Sequence, residues 1–270
     1  MWNILSLMFV ASLVSGQNNL KTNFTAKYRF SWAIDSILSK YNYDDYILLK
    51  SENFSYYYNL AHQYNDSLIS SFGHKEMSTD ADRQRFLKDW NEGKFIGKVK
   101  KYDSDLIFII DKKKDKEFIR FRDNTVPMYY SHEVESIKWN ITNVKDNIKG
   151  ISVLKATTYY GGRKYTAWFA PQIPQNEGPY VFRNLPGLII KVIEENNNFI
   201  FELIDYNTSL KVSSLKKDLE GKCKEINYEE WVKVRMENYF NPRMNFVRNE
   251  DKATYRKNNL TKRYFLLEKI

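Results

Sequence analysis

WNITNVKDNIKGISVLKATTYYGGRKYTAWFAPQIPQNEGPYVFRNLPGLIIKVI, residues 139 to 193, holds five of the ten glycines and four of the six prolines of the 270-residue chain. These residues direct the backbone, so its path is specified more tightly here than elsewhere. Gly161 and Gly162 predict a tight hairpin between Thr158 and Lys164, because positive backbone angles are cheap only for glycine. Tyr165, Ala167 and Phe169 then share one face of the returning strand, and Lys164, Thr166 and Trp168 the other. Pro171 and Pro174 lack the amide donor a ladder requires, so Pro171-Gln172-Ile173-Pro174 leaves the sheet and runs extended toward Gly178-Pro179. Leu185-Pro186-Gly187-Leu188 suits a type II turn with Pro186 second and Gly187 third, its two leucines inserted into the core.

Working outward, the chain reads as a meander of strands. Phe24, Ala26, Tyr28, Phe30 and Trp32 alternate with mostly polar partners, as expected of a strand with one buried face. Further strands are predicted at 46–50, 53–58, 95–101, 106–110, 118–121, 128–132, 136–140, 151–159, 164–169, 188–194 and 199–206, many joined by short polar links that favour antiparallel hairpins. The lysine run at 112–116 is a charged hairpin turn. Leu188, Ile190 and Val192 alternate on one strand, and Phe199, Phe201 and Leu203 answer them on the next. Two helices interrupt the pattern. Residues 79–90 open with Thr79 and Asp82 in capping-box spacing, and 227–240 open with Asn227 and Glu230 and stop before Pro242. The predicted fold is mainly β: one domain over 17–242, with a strongly curved antiparallel sheet or open half-barrel packed on one or two helices. A closed barrel or a two-layer sandwich is the second choice.

At the N-terminus, residues 1–16 carry no charged side chain, have an apolar run from Ile4 to Val14 and end Val14-Ser15-Gly16. They read as a signal peptide cleaved after Gly16, which implies export to the periplasm, the outer membrane or beyond. No later segment reaches the ~18 uninterrupted apolar residues of a membrane-spanning helix. Cys223 is the only cysteine, which excludes an internal disulfide and a cysteine-rich zinc site. The net charge is +9, and residues 206–270 hold fifteen Lys and Arg against nine Asp and Glu. Their mixed signs and the absence of a recognition motif argue against a nucleic-acid partner. Residues 243–270 read as a basic, partly disordered tail.

The quoted stretch resembles the GLPGLI family, exported Gram-negative bacterial proteins of unknown function. Their hallmark runs A-T-T-x-x-x-G-R-x-[WY]-x-A-W-[FY]-x-P-x-I-P-x-x-x-G-P-x-x-F-x-G-L-P-G-L-I. The chain matches it with Ala156-Thr157-Thr158, Gly162-Arg163, Tyr165, Ala167-Trp168-Phe169, Pro171, Ile173-Pro174, Gly178-Pro179, Phe182 and Leu185-Pro186-Gly187-Leu188-Ile189. Asn184 replaces the first glycine of the family's name, and Val153 stands where many members have cysteine. Asn184 is expected to take up the left-handed conformation the missing glycine would have used. The resemblance implies an accessory role in envelope transport or secretion, without naming a substrate.

Catalytic signatures are missing. The three histidines, His62, His74 and His132, show no metal-ligand spacing, and no nucleophile elbow, phosphate loop or dinucleotide fingerprint occurs. No catalytic residue, metal or cofactor is assigned. Gly161, Gly162, Pro171, Pro174, Gly178, Pro179, Leu185, Pro186, Gly187 and Leu188 read as structural. Arg163 and Trp168 are the candidate ligand- or partner-binding residues, placed together on the face away from the core, where a guanidinium and a ring stack or take up an anion. The structural alternative has Trp168 covering core and Arg163 paired with a carboxylate such as Glu177. The expected function is non-enzymatic binding of an envelope protein or an apolar ligand in a concave, aromatic-lined face. The alternative is an envelope hydrolase using Glu133, Glu135 or Glu177 near Arg163.

Overall fold

The computed structural model describes residues 20–35, 40–73, 80–95, 97–98, 100, 106–123, 126–209, 211–213 and 223–240. Residues 1–16, read from the sequence as a signal peptide, residues 243–270, His74 and Thr79, expected to cap a helix, lie outside them. The elements are β1 (Leu20–Thr22), β2 (Phe24–Asp35), β3 (Lys40–Lys50), β4 (Phe54–Asn59), α1 (Leu60–Ser71), α2 (Asp80–Asn91), β5 (Ile107–Asp111), β6 (Lys116–Asp123), β7 (Val126–Glu133), β8 (Asn140–Ile148), β9 (Ile151–Tyr160), β10 (Arg163–Ala170), β11 (Leu188–Glu194), β12 (Phe199–Asn207), β13 (Lys211–Ser213), β14 (Lys224–Glu225) and α3 (Tyr228–Phe240). Twelve strands form one sheet in the order β14-β7-β6-β5-β4-β3-β2-β12-β11-β10-β9-β8, antiparallel throughout except between β14 and β7. β1 and β13 pair separately. The protein is mainly β, built on one large open sheet.

Topology requires the sheet to curl. β2 to β7 form one sequential meander and β8 to β12 a second, zipped together where β2 meets β12. The far ends of the two meanders, β7 and β8, lie ten strand spacings apart in that order, or ~48 Å if the sheet were flat. The link between them is residues 134–139, which span at most ~25 Å when fully extended. Only a curled sheet lets it reach.

The inner face holds the main core. Phe24, Ala26, Tyr28, Phe30 and Trp32 of β2 are buried as their alternation predicts, with Tyr165, Ala167 and Phe169 of β10 and Phe199, Phe201 and Leu203 of β12. The segment between β10 and β11 lies across this face. Its Tyr180 packs edge-on to Phe108 of β5 and stacks with Phe201 of β12, while Phe182 meets Tyr165 of β10 at 4.8 Å. The residues expected to clamp two strands thus also supply much of the core. Of the helices, α3 puts Trp231 against Phe121 and Tyr130, and α1 lies beside β3 and β4.

Several local expectations need correcting. Phe95, predicted to open a strand, is instead in a turn closed by Lys98 N donating to Phe95 O. Residues 136–139 are a link, and the strand is β8, which is exposed along most of its length and so lacks the alternation that marks a half-buried strand. α1 was not anticipated, although Asn59 Oδ1 caps it by accepting from Ala61 N at 2.8 Å. On β11 a bulge lets Trp168 face Lys191 and Phe169 face Ile189 with Ile190 unpaired between them, so Ile189 is buried in the main core together with Ile190 and Val192.

In the quoted stretch, Gly161 and Gly162 both have positive φ, 56° and 72°, between the paired Tyr160 and Arg163, the geometry of a type I′ hairpin. Asn184 takes φ 70° as expected. The type II turn does not form: Gly187 N donates to Leu185 O, and Leu188 N donates across to Ile173 O. Gly187 is required for a different reason. A Cβ there would lie 2.3 Å from Ala170 O and 2.8 Å from Pro171 Cα, so two backbones touch where a side chain has no room.

Candidate functional site

Arg163 and Trp168 do not meet. Cross-strand pairing puts Arg163 in the same parity as Tyr165 and Ala167, on the inner face, and Trp168 on the outer one. At the hairpin end the Arg163 guanidinium stands 5.1 Å over the Phe199 ring and 3.7 Å from the Glu194 carboxylate. Glu194 is buried and accepts from the backbone and side-chain nitrogens of Asn196 and Asn198, tying the β11–β12 turn to the strand. Arg163 therefore neutralises a turn-closing carboxylate. The sequence points to Glu177 for this contact; Glu194 makes it, and its local sign is its place at the end of β11, two positions before Asn196-Asn197-Asn198.

Glu177 instead takes Lys112 at 3.0 Å, and Lys50 Nζ donates to Gln175 Oε1 and Asn176 Oδ1. Burial lowers the Lys50 pKa, against the pull of Glu177, and Lys112 lowers it further. These contacts fasten one end of the segment crossing the inner face. Deeper in, Arg183 Nη2 meets Glu117 Oε2 of β6 at 2.6 Å, and Trp139 Nε1 donates to Arg183 O. Both charged side chains are almost fully enclosed. Tyr28 of β2 donates to Ile189 O, and burial, with Glu177 adding to it, raises its phenol far above the ordinary range.

Glu133 and Glu135, the other carboxylates considered for hydrolysis, are exposed at the end of β7 and in the link beyond. His132 and Ser55 face inward on one row with Lys50, Ile110 and Glu117, but the register sets Ser55 three strands, ~14 Å, from His132. That separation keeps the imidazole from acting as base to the hydroxyl.

Trp168 lies on the outer face in a row read directly off the register: Lys155, Trp168, Lys191, Glu202, Arg29 and Asp45, across β9, β10, β11, β12, β2 and β3. Lys191 pairs with Glu202 at 2.9 Å, and Arg29 grips Asp45 through two hydrogen bonds. Trp168, half-buried, has a lysine on each side at cross-strand spacing, ~5 Å between Cβ atoms. Beside it on the same face runs a row with Thr157, Thr166 and Ile193, and exposed Tyr159 lies beyond. An aromatic ring bracketed by cations on a rigid strand presents a fixed contact surface.

A family model described as a protein of unknown function (Porph_ging) matches residues 91–191, which include the hallmark and Trp168. No curated protein matches the chain. Two structures of PNGF-II, in space groups P21 and C2, superpose with a TM-score of 0.53 at 15% and 14% identity, covering 81% and 82% of this chain and 34% of theirs. The chain thus spans about a third of PNGF-II, and at this identity the likeness is one of fold.

Proposed function

We propose that this chain is an exported, non-enzymatic protein of the cell envelope that binds a protein partner through the outer face of β9–β11. Export rests on the reading of residues 1–16, and the envelope role on the resemblance of the hallmark to the GLPGLI family. One observation carries the choice of surface: Trp168 stands between Lys155 and Lys191 on the outer face, while Tyr180, Val181, Phe182 and Leu185 lie buried on the inner one. An apolar ligand seated among these four would have to displace them, at ~1.5–3 kcal/mol for each large side chain. The sum is comparable to the ~5–15 kcal/mol that holds a whole domain folded. A partner on the outer face displaces nothing.

Native mass spectrometry of the protein recovered from its own envelope tests this. The expected result is a retained protein partner that is lost in Trp168→Ala and kept in Tyr43→Ala, an exposed aromatic elsewhere on the sheet, with matching melting temperatures confirming that both variants fold. Undiminished capture by Trp168→Ala would overturn the assignment.

A further inference from the structure

The outer face of the first meander has a different character from that of the second. The register runs a row through Ile47, Tyr58, Ile107, Arg120, Tyr129 and Glu225, on β3, β4, β5, β6, β7 and β14. Leu49, Tyr56, Tyr58 and Ile107 form a second buried apolar cluster there, separate from the main core. Arg120 is the only cation among these six residues and is 6% exposed. Among the described residues its guanidinium makes no hydrogen bond or ion pair, and Nε is sealed from solvent. The carboxylate among the six, Glu225, lies two strands away, ~10 Å. It is already engaged by the Tyr129 hydroxyl and, at 3.5 Å, by Ser131.

We propose that Arg120 is the anchor of a binding site for an amphiphile with an anionic head, a carboxylate or phosphate, whose apolar chain lies along Ile109 and Phe118. Buried charges in folded proteins are matched by counter-charge and hydrogen bonds, and among the described residues this one has neither. An apolar residue of similar volume would serve folding better at such a position, so an arginine there answers to something other than folding. The guanidinium fork fits the two oxygens of a carboxylate or phosphate and is less strongly hydrated than an ammonium, which suits a site with little water. The surroundings select an amphiphile over a free ion. Phe118 lies two positions before Arg120 on the same face of β6, opposite Ile109 on β5, and both remain half-exposed, so a hydrocarbon chain reaches them from solvent. This site goes beyond the Trp168 surface and does not depend on it.

Isothermal titration of the full chain decides the matter. The probes are dodecanoate and dodecyl phosphate below their micelle concentrations, acetate and inorganic phosphate as heads without tails, and dodecyltrimethylammonium as a tail with the opposite charge. Dodecanoate or dodecyl phosphate is expected to bind one to one, at least tenfold more tightly than acetate or inorganic phosphate, with no binding of the cationic surfactant. Arg120→Gln should weaken binding tenfold or more. Arg120→Lys, which keeps the charge but loses the fork, should fall between, and Glu225→Gln should leave binding unchanged. Equal binding by Arg120→Lys and the parent would overturn the role of the fork, and equal binding of the cationic surfactant would overturn the anion site. Inorganic phosphate binding as tightly as dodecyl phosphate would overturn the amphiphile and leave a free-ion site.

Discussion

Arg183 and Arg120 are buried to nearly the same extent, 5% and 6% exposed, in opposite circumstances. Arg183, on the inner face, is clamped to Glu117 and holds the segment that fills the core. Arg120, on the outer face, lies between Ile107 and Tyr129, with no acid beside it among the described residues. A buried charge that has its partner belongs to the folding of the molecule, and removing one member of such a pair strands the other. A buried charge without a partner contributes nothing comparable to folding. The two arginines thus separate what the fold needs from what it carries for another purpose.

The sharpest way to break this comparison is to remove both charges. Arg183→Met should destabilise by about 3–5 kcal/mol, because it leaves Glu117 enclosed and unpaired, as read from urea denaturation midpoints. A second effect is read by pH on two neighbouring residues of β4. Burial, with Asp111 adding to it, pushes Tyr56 on the outer face up to about 12 from its ordinary value of 10.0, while burial carries Tyr57 on the inner face well above that value. The unfolded chain ionises first, so stability is full below pH 10 and falls as pH rises toward 12, by about 2–3 kcal/mol for Tyr56 alone. Tyrosine absorbance should show Tyr56 titrating in the folded protein and Tyr57 ionising only with unfolding.

Arg120→Leu is expected to move the other way, with a gain of about 1–2 kcal/mol in ligand-free protein measured by the same denaturation. A loss as large as that of Arg183→Met would mean that the two arginines do the same job. The smallest change belongs to the outer row of the second meander. Lys191→Gln breaks a partly exposed pair with Glu202 and should cost about 0.2–1 kcal/mol, an effect that thermal melts in high salt should shrink further.

How much of this was legible in the sequence depended on the range of the interactions. Alternation placed Phe24 to Trp32 and Tyr165 to Phe169 correctly, because one wet face and one dry face leave a period of two. β8 was not legible, since a strand exposed on both faces carries no such period, nor was α1, whose only local sign was the Asn59 cap. The partners of Arg163 and Arg183 were hidden by distance along the chain: Glu117 precedes Arg183 by 66 positions, and no spacing rule connects them. Nothing in the sequence marks Arg120 out between Ile119 and Phe121. Only the register shows it flanked by Ile107 and Tyr129 on a face that is itself buried.

The seam where β2 meets β12 bears on how the molecule acquires its shape. Within each meander neighbouring strands are linked in chain order, so their pairings close loops that are short on the scale of the chain. The seam joins Phe30 to Phe201 and closes a loop that includes almost the whole sheet. Local pairings form quickly, and distant ones wait on the entropy of loop closure. The chain therefore has two fast-forming halves and one slow union, and the aromatic pair at that union, Phe30 stacked on Phe201 at 4.6 Å, is where substitutions should retard folding most for a given loss of stability.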